Sequence, residues 1–195
     1  MLCDKDCCRR FGIFVIILVI VLFVCFIIAI FVSHVQQKIV IVNANLSRFE
    51  ITTSPTTSLF FNLSFTMSIH NSLWYDVHGA KYQDMEIACY YNTMEFDSID
   101  LGNFGLDLMK TRIVNHSRSG NVTMNLTSNE VDAFKRSSET GYFDIEIWLQ
   151  GNRIFYNDYD GEQPTYLSYP CKLRLQLITS QNSTTQGNFT PVKCY

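Results

Sequence analysis

Charged side chains are scarce in this sequence. Asp, Glu, Lys and Arg make up 17% of the 195 residues, against about 25% in a typical soluble domain. Part of the deficit is local: the 22 residues Phe11 to Val32, FGIFVIILVIVLFVCFIIAIFV, include none. The net charge of −3 gives the chain no general attraction for nucleic acid or anionic lipid. Catalytic signatures are missing as well. His34, His70, His78 and His116 show no H-E-x-x-H spacing, which removes the usual sign of zinc hydrolysis. There is no G-x-S-x-G and no glycine-rich phosphate loop, so neither an esterase elbow nor a nucleotide cradle is indicated. No motif implies a cofactor, and no internal repeat is evident.

What is present begins with that apolar run. As a helix, 22 residues extend roughly 33 Å, about the hydrocarbon thickness of a bilayer. A helix also satisfies every backbone polar group within the segment, as lipid demands. Lys5, Arg9 and Arg10 precede it, and just His34 and Lys38 follow closely. The positive-inside bias therefore predicts residues 1–10 as a cytoplasmic tail, 11–32 as an uncleaved transmembrane signal anchor, and 33–195 as the domain outside. A cleaved signal peptide fits less well, because the run exceeds the usual ~7–15 residues and no A-x-A-like site follows. Cys3, Cys7 and Cys8 fall in the tail. They are candidates for S-palmitoylation or free thiols in a reducing compartment; a zinc site would have three ligands and no histidine.

The segment after the run carries an independent sign of its location. Sequons N-x-[ST] stand at Asn45, Asn62, Asn115, Asn121, Asn125, Asn182 and Asn188. With 14 Asn and 31 Ser or Thr in 195 residues, chance gives about two. An excess confined to one side of the span predicts a domain bearing N-glycans. Aromatic residues at 14%, with 15 Phe and 10 Tyr, are too many for a disordered segment.

Alternation of period two recurs through this part. Residues 35–51 read as a first strand and 52–58 as a connection. Ser58 to Asn71 is the clearest strand, with Leu59, Phe61, Leu63, Phe65, Met67 and Ile69 on one face and Asn62, Ser64, Thr66, Ser68 and His70 on the other. Further alternation places strands at Met85–Tyr91, Lys110–Val114, Asn121–Thr127, Tyr142–Gln150 and Cys171–Leu177, while Asp97–Asp107, with Gly102 and Gly105, reads as a loop. Thr127-Ser-Asn-Glu130 has the form of a capping box opening a short helix, about Ser128 to Ser138, stopped by Gly141. Asn157–Gln163 reads as a turn, 179–188 as a polar loop, and Phe189–Cys194 as a closing strand. The expected fold is mainly β: a two-sheet antiparallel β-sandwich of the fibronectin or immunoglobulin kind, with one short helix, after the transmembrane helix.

The order of these pieces resembles the plant NDR/HIN-like family, whose members carry a late-embryogenesis-abundant group-2 domain. The resemblance rests on Cys7-Cys-Arg-Arg10 before the span, the strand after Gly141, the Cys171-x-Leu-x-Leu strand and the final Pro191-Val-Lys-Cys194. Where that family often has Asn-Pro-Asn-Lys and then Tyr-Tyr-Asp, this chain reads Asn71-Ser-Leu-Trp-Tyr-Asp76, without the Pro and Lys. The resemblance implies a plasma-membrane glycoprotein acting in pathogen or stress responses through a protein partner, without catalytic activity. It also implies a Cys171–Cys194 disulfide. The alternation alone points elsewhere, since Cys89 and Cys171 both face inward and are placed to bridge two sheets.

Other residues invite chemical readings. Asp158-Tyr-Asp160 matches the D-x-D of metal-dependent glycosyltransferases, so a small lumenal glycan-modifying enzyme is an alternative, as is a tether between membrane and cell wall. About 160 residues without doubly wound alternation are few for a nucleotide-sugar domain, and a hairpin turn is the better reading of the pair. Trp74, Tyr75 and Asp76, in the loop 71–80, are the first candidate interaction surface, and Trp148 is a further outward aromatic.

Overall fold

The computed structural model describes the backbone of residues 5–34, 38–53, 56–72, 80–157, 161–178 and 189–195, and their side chains except at 5–12, 29–34, 155–157 and 161–162. The chain divides into two units, Met1–Gln36 and Gln37–Tyr195.

The first unit is one helix, α1 (Lys5–His34). Its side chains from Ile13 to Ile28 are exposed, Phe14 and Phe23 by more than 60%. Among the described residues no helix is long and apolar enough to cross a membrane.

The second unit contains β1 (Lys38–Thr52), β2 (Ser58–His70), β3 (Ala80–Tyr91), β4 (Met94–Leu106), β5 (Thr111–Thr123), α2 (Ser128–Thr140), β6 (Tyr142–Asn157), β7 (Gly161–Gln176) and β8 (Val192–Lys193). They form two four-stranded sheets, ordered β5-β2-β1-β8 and β4-β3-β6-β7. Every pairing between these strands is antiparallel. The inner faces of the two sheets supply one core, so the fold is a β-sandwich.

β2 shows why the sequence folds this way. All six of its odd-numbered side chains from Leu59 to Ile69 are buried, while the even-numbered ones are half-buried on the other face. Each buried Leu, Phe, Met or Ile stabilises the fold by roughly 1.5–3 kcal/mol. From the second sheet, Ile87, Cys89, Tyr91, Phe143, Ile145, Ile147 and Leu149 enter the same core. Phe49 lies at its aromatic centre, with ring centroids 4.9 Å from Phe143, 5.3 Å from Tyr91, 5.5 Å from Phe96 and 5.6 Å from Phe134.

Helix α2 begins and ends as its residues direct. Glu130 N–H donates to Thr127 Oγ1 (3.4 Å), and Thr127 N–H donates back to Glu130 Oε2 (2.8 Å), which completes the capping box. Gly141, at φ +72°, turns the chain and donates its N–H to the Ser138 carbonyl. Phe134, its buried residue, joins the Phe49 cluster.

Several expectations need correction. Residues 97–107 are not a loop: they fall largely in β4, an edge strand whose Gly102 takes φ +59°. The two short strands expected at 110–114 and 121–127 are one strand, β5, that ends at Thr123. The helix reaches Thr140, two residues past the expected end. β6 runs on to Asn157, seven residues past Gln150. β7 tolerates Pro164 and Pro170 because it is an edge, where a missing N–H costs little.

Candidate functional site

The two rims of the sandwich are fastened differently. At one rim β7 faces β8, and Cys171 is bonded to Cys194 with Cα atoms 4.4 Å apart. The bond closes a 23-residue separation and ties the second sheet to the first. Cys194 N–H also donates to the Ile39 carbonyl, and Tyr195 N–H to the Pro170 carbonyl. This corrects the Cys89–Cys171 alternative. Cys89 is a free, fully buried thiol. Burial first, and then the nearby carboxylates of Asp97 and Glu95, push its pKa far up. It is packing material, not a nucleophile.

At the other rim β4 faces β5, and the fastening is ionic. Asp97 stands on the inner face of β4, paired in register with buried Cys89. His116 and Arg118 stand on the inner face of β5, opposite Phe65 and Leu63. His116 Nε2 donates to Asp97 Oδ2 and Arg118 Nη1 to Asp97 Oδ1, both at 2.7 Å. The Asp97 side chain is wholly enclosed, whereas that of Arg118 is 57% exposed. Phe65 packs against the His116 ring. Two residues past Arg118, Gly120 lies against Phe61, whose ring would meet an added Cβ at 3.0 Å.

A third anchor, again polar, is Asn71, fully buried after β2. Its Nδ2 donates to the Leu106 carbonyl (3.0 Å), its N–H to the Lys110 carbonyl, and its own carbonyl accepts from Met109 N–H. The chain therefore enters residues 73–79 from a fixed point.

The outer face of the second sheet has the richest chemistry. Register aligns Glu86 with Gln150, Ala88 with Trp148 and Tyr90 with Glu146, and Tyr90 with Glu95 on the far side. Trp148 and Tyr90 form an edge-to-face pair, 6.3 Å between centroids. Trp148 Nε1 donates to Glu146 Oε2 (3.1 Å), Tyr90 Oη to Glu95 Oε2 (3.3 Å) and Gln150 Nε2 to Glu86 Oε2 (3.4 Å). Lys172 reaches Glu146 at 3.4 Å from β7. Partial burial, then the charge and hydrogen bond of Glu95, raise the Tyr90 pKa. Asn92 and Thr93 complete a hollow of about 300 Å³ beside the two rings. The sequence pointed outward for Trp148, but it gave no sign that Tyr90 stands beside it.

Other expected site residues are unevenly placed. Asn115, Asn121 and Asn125 are exposed, and Asn45 and Asn62 half-buried. Asn62 is on the outer face of β2, and the register sets Asn45, Asn115 and Asn121 opposite Ser64, Thr66 and Phe60 on that same face. Asn125 follows the end of β5, next to Met124, whose N–H donates to the Thr57 carbonyl. Asn45 Oδ1 is enclosed without a hydrogen-bond partner among the described residues. Cys7 and Cys8 belong to α1, but their side chains are not described. Cys3, Trp74, Tyr75, Asp76, Asp158, Asp160, Asn182 and Asn188 lie outside the described residues. Among the described residues no group of three or more His, Cys, Asp or Glu is placed to hold a metal ion.

No family model and no curated protein matches the chain. Among solved structures, a protein from Archaeoglobus fulgidus is similar at 8% identity, over 71% of this chain and 99% of its own, with a TM-score of 0.32. That likeness is too slight to carry an argument.

Proposed function

We propose that this chain is a single-pass plasma-membrane glycoprotein of the NDR/HIN-like type, its N-terminus cytoplasmic and its sandwich domain outside, acting in defence or stress responses by binding a partner rather than by catalysis. The observation that carries the reading is the Cys171–Cys194 disulfide. It joins the two cysteines on which the family resemblance is most specific. Structural disulfides persist mainly in oxidising compartments, which supports the reading that residues 171–194 lie on the side of the membrane opposite a cytoplasmic tail.

Two further features support the same topology. Helix α1 is continuous from Lys5 to His34 through the uncharged run Phe11–Val32, and its described apolar side chains are exposed. Such a surface is stable in lipid and costly in water. Every described sequon is in the second unit, and three of the five asparagines are exposed.

Protease protection on sealed membranes, with and without glycosidase, tests the reading. The expected result is a protected fragment of about 160 residues that loses mass on deglycosylation. A domain digested from the cytosolic side, without glycans, would overturn topology and function together.

A further inference from the structure

The sequons divide the sandwich into two unlike faces. Of the five on described residues, four stand on the outer face of the first sheet and the fifth just past the end of β5. None falls on β3, β4, β6 or β7, so the second sheet carries no sequon among the described residues. If the domain bears glycans, as proposed above, they cover one face and leave the other open. The open face is the one with Tyr90 and Trp148 beside a 300 Å³ hollow.

The charges of that face complement a cation. Glu86, Glu95 and Glu146 surround the two rings, and Asp100 aligns with Glu86 on β4. Lys172 is the single cation paired with these three glutamates among the described residues. Elsewhere in the domain, partly exposed rings have an arginine from this chain laid over them: Arg48 over Phe60, Arg112 over Phe104 and Arg174 over Tyr142, at 4.9, 4.0 and 5.4 Å. Among the described residues no such cation covers Tyr90 or Trp148. An aromatic face that attracts a cation, ringed by carboxylates, is half of a cation–π and salt-bridge contact.

We infer that the outer face of the second sheet, centred on Tyr90 and Trp148 and flanked by Glu86, Glu95 and Glu146, docks a basic segment of a protein partner. An arginine or lysine of the partner lies against the rings, with its charge among the carboxylates. The inference rests on the glycoprotein reading, which determines the open face, and its test separates the two.

The experiment uses the full chain, made in glycosylating cells and purified in detergent, with nona-arginine as the probe and nona-glutamate and a neutral β-1,4-glucan hexasaccharide as comparators. Nona-arginine is expected to bind, and nona-glutamate and the hexasaccharide not. Trp148→Ala weakens that binding at least fivefold, Glu86→Gln with Glu95→Gln at least tenfold, and Trp148→Phe restores most of the loss. Asp132→Asn with Glu139→Gln, on α2, leaves binding unchanged. Thermal midpoints show that each variant is folded. A steric arm follows from one substitution: Tyr166→Asn on β7 creates an N-x-S sequon with Leu167 and Ser168. The added glycan is expected to abolish binding, and enzymatic deglycosylation to restore it.

Hexasaccharide binding without nona-arginine binding would overturn the inference in favour of a carbohydrate surface. Equal nona-arginine binding by all variants would overturn it as non-specific charge attraction. If the wild-type chain shows no mass loss on deglycosylation, the glycoprotein reading fails, and the inference fails with it whatever the peptide does. Normal glycosylation with variant-independent binding sinks the inference alone.

Discussion

His116 Nε2 lies 2.7 Å from Asp97 Oδ2, and this hydrogen bond crosses from an edge of one sheet to an edge of the other. Asp97 is enclosed and holds Arg118 on its second oxygen. Removing the carboxylate takes the shared acceptor from both bases, leaving Arg118 its longer 3.5 Å bond to the Ser98 carbonyl, and removing one member of a buried ion pair typically costs about 3–5 kcal/mol. Because Arg118 is half exposed, Asp97→Ala is expected to fall at the low end, about 3 kcal/mol. Urea denaturation at neutral pH measures it. Arg118→Ala, which leaves the His116 contact, should cost about 1 kcal/mol, near the value of a single hydrogen bond.

The opposite rim depends on the disulfide. Converting both Cys171 and Cys194 to Ser frees a 23-residue loop, for which the chain-entropy model gives roughly 3 kcal/mol. The denaturation midpoint should drop accordingly, and dithiothreitol should lower the wild type but leave the double variant unmoved. Cys89→Ala serves as the control. It too is expected to destabilise, through a small cavity in the core, yet its midpoint should keep the response to reductant.

Phe134 holds α2 to the sandwich. Its ring lies 5.6 Å from Phe49, 5.5 Å from Tyr91 and 5.3 Å from Phe143. Phe134→Ala should cost about 3–5 kcal/mol. Amide exchange should show α2 opening while β2 and β6 stay protected.

Acid should loosen the start of α2. Glu130 accepts from the Thr127 backbone N–H and from the Thr127 hydroxyl, in that order of effect, and this holds its carboxyl below the ordinary 4.5. A carboxyl depressed in the folded state adds stability above its unfolded pKa, and loses it as pH falls through the folded value. The stability gap between wild type and Glu130→Ala should therefore be full at neutral pH and close on acidification below about pH 4. A carbon-13 NMR titration of Glu130 should place its midpoint below that of an unstructured Glu.

Gly151 should accept no side chain. Its φ of +146° is one that L residues rarely adopt, and an added Cβ would come within 2.9 Å of Met85 Cα and 2.7 Å of the Asp84 carbonyl. Both neighbours belong to the register shift where β3 pairs with β6. Gly151→Ala is expected to cost at least about 2 kcal/mol, seen as a lowered thermal midpoint.

These residues show what the sequence could and could not convey. β2 was legible because its partners cover both edges and its two faces meet opposite surroundings, so the side chains alternate without a break. The capping box was legible because its two halves are three residues apart. β5 was not, because His116 and Arg118 occupy inward positions where the pattern requires apolar side chains. Those positions make sense with Asp97 opposite, and Asp97, together with Gly102 and Gly105, made β4 resemble a loop. The anchoring role of Asn71 was hidden for a similar reason: its acceptors at Leu106 and Asp107 are more than thirty residues away. On the outer face of the second sheet, Trp148 was visible as an outward aromatic, but its proximity to Tyr90 depends on how β3 pairs with β6.

Strand β8 has a consequence for how the protein is made. Val40 and Ile41 pair with Lys193 and Val192, roughly 150 residues later. A ribosome adding about 5–20 residues per second needs on the order of ten to thirty seconds to cover that distance. For all of that interval β1 presents unpaired amides along one edge, a template to which another nascent chain can add. Chaperone attendance during synthesis, which keeps that edge from other chains, then bears on how much of this protein folds.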